Sequence, residues 1–171
     1  MAQLFSLGAQ MRKQHDKPAA LDHVLYEIEM LTSALLALCR PGLADVDGSG
    51  WMEVFAIHAR NLNEFFAQKD PGGGYMRPDD FVTWTYSYKF DKGLFRRASS
   101  QVAHLTYDRE RPEDKTQWPF EGVFKALREQ CIVFLEAVVL VEPLMAYRAN
   151  RQRADALLAT LPRIQFSNDK K

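Results

Sequence analysis

The chain is expected to fold as an all-α bundle of four to five helices, up-and-down, in one domain over residues 1–171. Three observations lead there. Apolar residues recur at steps of three and four in five stretches, the spacing of helices buried along one side. Segments rich in Pro, Gly and polar residues separate most of these stretches and break regular structure. The 171 residues, 47% apolar and 26% charged, suffice for one hydrophobic core and do not have the composition of a disordered chain.

The first helix is expected from about Ala19 to Cys39, burying Leu21, Leu25, Ile28, Thr32, Leu35 and Cys39. Pro18 suits its first turn and Pro41-Gly42 stops it. Leu43–Gly50 reads as a turn-rich linker. The second helix is expected from about Trp51 to Gln68, with Trp51, Val54, Phe55, His58, Leu62, Phe65 and Phe66 on one stripe and Arg60 and Glu64 on the opposite face. Asp70-Pro71-Gly72-Gly73-Gly74 then breaks the chain. Over 82–90, Val82, Trp84, Tyr86, Tyr88 and Phe90 alternate with polar residues, a period-two pattern that favours strands. No second strand of similar quality exists to pair with it, so the expectation is an extended aromatic segment wrapped on the bundle, with a short helix as the rival. The third helix is expected from Asp91 to Tyr107. The fourth runs from about Pro119 to Glu142 and is apolar nearly all round in its second half, as a central helix would be. The fifth, from about Ala146 to Leu161, carries basic residues. Residues 1–17 form an N-terminal arm and 162–171 a C-terminal tail.

Lys+Arg and Asp+Glu are equal at 22 each, which argues against whole-surface electrostatic binding to nucleic acid or membrane. The charge is nevertheless segregated. Arg148, Arg151, Arg153, Arg163, Lys170 and Lys171 outnumber Asp155 and Asp169 at the C-terminal end, and the ends are basic around an acidic body. Such ends suit solvated arms, or an RNA-facing or partner-facing surface. Cys39 and Cys131 sit in apolar runs and read as small buried hydrophobes. The longest apolar run, Cys131–Val141, is interrupted by Glu136 and too short to span a bilayer. No secretory leader is legible at Met1–Gln10. A cytoplasmic protein without membrane contact is the expectation.

Asp45-Val46-Asp47-Gly48-Ser49-Gly50 resembles the opening of a calcium loop, but the twelfth position, which must supply a bidentate carboxylate, is Ala56. A Gly-rich turn with Asp47 or Ser49 capping the second helix is the plainer reading. The four histidines, His15, His23, His58 and His104, lack metal-ligand spacing, and no phosphate loop or nucleophile elbow occurs. No metal or cofactor is expected.

Two histidines carry the functional reading. His58 falls within an apolar stripe with Asn61 three residues on, and a polar ring in a core needs a partner. It is either a satisfied core histidine or, with Arg60 and Asn61, part of a polar binding wall. Arg97, Gln101, His104 and Asp108 share one half-exposed stripe, followed by Arg109 and Arg111. This is either a solvated edge or a place where arginine holds a phosphate and histidine moves a proton.

Arg97-Ala98-Ser99-Ser100-Gln101-Val102-Ala103-His104 resembles the R-x4–6-H signature of HEPN domains. These are small all-α bundles, often dimeric, and many are metal-independent endoribonucleases. The resemblance implies that Arg97 and His104 are the catalytic pair, that RNA is the substrate and that the chain forms a homodimer. HEPN nucleases usually carry a polar residue directly after the arginine. Ala98 stands there instead, so a catalytic and a degenerate form both remain open. His58-Ala59-Arg60-Asn61-Leu62 and Ala103-His104-Leu105-Thr106-Tyr107 with Arg109 also resemble phrases of small uncharacterised bacterial helical proteins. That likeness implies one constellation of His58, Asn61, His104 and Arg109, and Tyr107 beside them is a further binding candidate. The alternative to an RNA enzyme is a non-enzymatic helical protein–protein interaction module.

Overall fold

The computed structural model describes residues 16–43, 45–67, 75–85, 88, 91–97 and 120–166. In that part the chain is all-α, with no strand among the described residues. Its helices are α1 (Lys17–Leu38), α2 (Asp45–Ala67), the short α3 (Lys92–Arg97), α4 (Phe120–Val138) and α5 (Arg148–Thr160).

Asp16 caps α1 by accepting from the Ala19 amide at 3.3 Å, and Pro18 occupies the first turn, where its missing N–H costs nothing. Leu21, Leu25, Ile28, Thr32 and Leu35 are buried, as the periodicity predicts. Thr32 satisfies its hydroxyl by donating to the Ile28 carbonyl at 2.7 Å. Cys39 departs from expectation. It is the residue after the last turn, where the chain leaves the bundle, and it is exposed. Gly42 then takes a left-handed φ of 73°, which costs glycine nothing.

The largest correction lies at residues 45–50. The expected linker and calcium-like opening are the first turns of α2. Two glycines weaken a helix by about 1 kcal/mol each, but packing of the stripe that follows overrides so small a propensity. Neither Asp47 nor Ser49 is a cap, because both lie inside the helix.

Four helices close a ring in which α1 packs on α2, α2 on α4, α4 on α5 and α5 back on α1. Specific pairs set their directions. Phe55 meets Phe120 and Phe65 meets Phe134, so α2 and α4 run parallel. Asn150 donates to the Pro18 carbonyl at 2.8 Å and Arg153 pairs with Asp22, so α1 and α5 start at the same end. The chain between α2 and α4, which includes α3, therefore returns to the end where α2 began.

Phe134 is the aromatic centre. Fully buried, it meets Phe65, Phe66, Phe81 and Trp84 edge-on at 5.2–6.2 Å. The described part of the aromatic segment follows the wrapped expectation. Val82, Trp84 and Tyr88 pack against the core, whereas Thr83 and Thr85 are exposed. Period two here reports a chain laid along the helices with one side inward, not a paired strand.

The fourth helix ends at Val138, short of the expected Glu142. Pro143 cannot continue a helix and restricts the residue before it. Arg151 completes this end by donating to the Val139 carbonyl at 3.0 Å. The basic residues of α5 are partly turned inward. Arg151 also pairs with Glu142, and Arg153 bridges Asp22 at 2.6 Å and Glu29 at 3.0 Å on α1. The first residues of the expected tail are likewise not free. Arg128 donates to the Ile164 carbonyl at 2.8 Å, and Phe166 lies against Phe124 and beneath the Lys125 ammonium.

Candidate functional site

The α1–α2 seam is the most extensive helix contact of the described part, and one polar cluster lies within it. His58 Nδ1–H donates to Glu27 Oε2 at 2.7 Å. Asn61 Nδ2–H donates to the same oxygen at 3.1 Å. His58 and Asn61 are three residues apart on α2 and so share a face, which here is the face presented to α1. The His58 side chain is 11% exposed and that of Glu27 25%, so the pair is largely withdrawn from water but not sealed.

A carboxylate offers only acceptors, so Nδ1 carries the hydrogen of this bond. That leaves Nε2 as the nitrogen able to accept or release a proton toward a ligand. No described residue bonds it. Tyr26, next to Glu27, sets its ring against the imidazole with centroids 5.7 Å apart and planes at 80°. The ring is held by a carboxylate on one side and an aromatic on the other. This is the arrangement by which a histidine is oriented for proton transfer. It equally satisfies a core histidine, and both readings of His58 meet in the same geometry.

Arg60 lies on the neighbouring stripe of α2 and pairs with Glu64 at 3.5 Å, an i,i+4 contact. Arg97 is the last described residue of α3; its side chain and the rest of the expected third helix, to Tyr107, fall outside the described residues. His104, Tyr107 and Arg109 also lie outside them. The structure therefore brings His58 and Asn61 together and leaves the wider constellation undescribed. It does place α3 against α2, the helix that carries His58.

A buried amide makes that placement. Asn63 is fully buried. Its Nδ2–H donates to the Asp91 carbonyl at 3.2 Å, and its Oδ1 accepts from the Asp91 amide at 3.1 Å and the Tyr88 hydroxyl at 3.0 Å. The side chain thus pairs with both backbone groups of one residue, as a neighbouring strand would, and it pins the chain immediately before α3. Burial first, and then the charge of Asp91, push the Tyr88 phenol up to about 12. Burial also raises the Cys131 thiol, which stays protonated and inert inside α4.

Glu27 and Asn63 are the residues that sequence reasoning missed. A buried histidine demands a partner, but three carboxylates on the first helix compete for it. The deciding signal is hairpin register. Eleven residues back from Leu38 is Glu27, and eleven on from Asp45 is Ala56, within a turn of His58. With the first helix ended at Cys39 and the second begun at Trp51, Glu27 is twelve residues back and is set opposite Asn63, twelve on, instead. The misplaced helix start hid the pair.

Among the described residues, no group of three or more His, Cys, Asp or Glu side chains is placed to hold a metal ion. No described helix is long and apolar enough to cross a membrane. No protein-family model matches the chain, and no curated protein or solved structure matches it significantly.

Proposed function

We propose that this protein handles RNA and carries out metal-independent strand cleavage, with His58 as the group that accepts the proton. The observation that supports this reading is the 2.7 Å bond from His58 Nδ1–H to Glu27 Oε2, which orients the imidazole and leaves Nε2 for a substrate hydroxyl. In the proposed step, Nε2 takes the proton of a ribose 2′-hydroxyl. The 2′-oxygen attacks the adjacent phosphorus and the bond from phosphorus to the 5′-oxygen breaks. The leaving oxygen collects a proton from an acid, a part that falls here to His104 of the catalytic pair implied by the HEPN resemblance, while Arg97 holds the phosphate. The products are a 2′,3′-cyclic phosphate and a 5′-hydroxyl. A homodimer accords with the same resemblance.

The test is cleavage of a mixed RNA pool in EDTA by wild type, His58→Ala, Glu27→Gln, Arg97→Ala and His104→Ala, each checked for a retained helical spectrum and melting temperature. The expected result is loss of cleavage in the folded His58, Arg97 and His104 variants and a partial loss in Glu27→Gln.

A second reading has one observation in its favour. Glu27, His58 and Asn61 satisfy one another and staple α1 to α2, as a structural cluster in an interaction module would. Wild-type protein that neither binds nor cuts RNA overturns the first reading and leaves this one.

A further inference from the structure

We infer that Asn61 is a positioning residue of this site, fixing Glu27 so that His58 keeps its hydrogen on Nδ1 and presents Nε2 to a ligand. The inference rests on the reading of His58 as the proton acceptor and adds the residue that holds it in that state. From its place three residues beyond His58, Asn61 is expected in the wall that touches the ligand. The geometry gives it another part. Its Nδ2–H is spent on Glu27 Oε2 at 3.1 Å, the same oxygen that His58 Nδ1–H reaches at 2.7 Å.

His58 and Asn61 lie within one turn of α2, so the backbone of that helix sets their spacing. Glu27 comes from α1, 31 residues away in sequence. Its side chain is long, ends in two equivalent oxygens and is 25% exposed. A single bond from His58 would leave the carboxylate free to turn about its broad last torsion and to exchange His58 for water. Two donors of fixed spacing converging on one oxygen hold it in one place. The consequence falls on His58. A neutral imidazole carries its hydrogen on one nitrogen, and the bond made there decides which. A carboxylate held at Nδ1 keeps the hydrogen at Nδ1. A carboxylate that swings away lets it pass to Nε2, which then cannot accept a proton from a ligand.

The experiment records long-range proton–nitrogen correlations of the full chain carrying isotope-labelled histidine, at about pH 9, where an ordinary imidazole is neutral. His58→Ala identifies the His58 signals by their loss. Wild type is expected to show His58 with its hydrogen on Nδ1, and Asn61→Ala, with its helical spectrum retained, a mixture of the two forms. Cleavage of the mixed RNA pool is measured beside it. Asn61→Ala is expected to lower kcat about 10- to 100-fold, the usual loss from a partner that orients a working histidine, and to leave KM within about twofold of wild type. Asn61→Gln keeps an amide donor and is expected to hold more of the Nδ1–H form, and more activity, than Asn61→Ala.

An Asn61→Ala protein in which His58 stays wholly in the Nδ1–H form overturns the inference, as does a wild type already in the Nε2–H form. A raised KM with unchanged kcat shows that Asn61 touches the substrate and overturns it too. No cleavage by wild type removes the RNA reading, while the tautomers of wild type and Asn61→Ala still decide the part played by Asn61.

Discussion

Removing Glu27 and His58 singly and together tests whether the α1–α2 cluster is one coupled unit. Glu27→Ala deletes the acceptor of two bonds and leaves the Nδ1–H of a nearly buried ring without a partner. A buried donor left unsatisfied costs about 1–3 kcal/mol, and bonds to charged groups stand at the upper end, so about 2–3 kcal/mol is expected. His58→Ala leaves Glu27 bonded to Asn61 and a quarter exposed, so its polar cost is smaller. It also removes the contact with Tyr26 and opens a small cavity. The double variant loses both groups but strands neither. Its cost is expected to fall short of the sum by about 1–2 kcal/mol, the coupling of a largely dehydrated charge-assisted bond. Urea unfolding followed by circular dichroism measures each cost, with unchanged slopes confirming a common unfolded state. Raising the salt should alter the coupling little, because the pair is mostly out of water. Additivity within about 0.3–0.5 kcal/mol would refute the reasoning, since that is the behaviour of sites that do not touch.

Asn63→Ala should cost about 2 kcal/mol in the same assay, less than three buried bonds imply, because Asp91 is exposed and water can replace two of them; a cost under about 0.5 kcal/mol refutes the clasp. Gly50→Ala should stabilise by about 0.5–1 kcal/mol, since position 50 is helical, exposed and open to a Cβ, and destabilisation would restore the loop reading. Tyr88 holds its proton to about 12 in the folded chain against 10 in an exposed phenol. Its contribution is therefore complete below pH 10 and declines as pH rises through that window, which alkaline unfolding of wild type against Tyr88→Phe measures. A thiol reagent should modify exposed Cys39 in the native protein and reach buried Cys131 only on unfolding; equal rates would contradict the packing of α4.

The parts of the fold that were legible in the sequence are those decided by local pattern. The stripe of α1 came through residue for residue except at Cys39, because a helix buried on one side repeats its contacts every turn. The inward alternation at Val82, Trp84 and Tyr88 was legible for the same reason. The start of α2 was not. Gly48 and Gly50 prefer turns locally, and only the packing of the stripe beyond them makes residues 45–50 helical. His58 was recognisable as a polar ring in an apolar stripe, but its partner was not.

By its own pattern, then, the sequence determined an all-α chain, the faces its helices bury and the histidine that needed satisfying. Tertiary structure alone decided that Glu27 answers His58, that Asn63 clasps Asp91 and Tyr88, and that Arg153 turns its charge inward to Asp22 and Glu29. The physical reason is the range of the interactions. Helical periodicity is written within one turn of chain, whereas each of these polar pairs joins residues 25 or more apart, and a shift of one helix start changes which side chains meet.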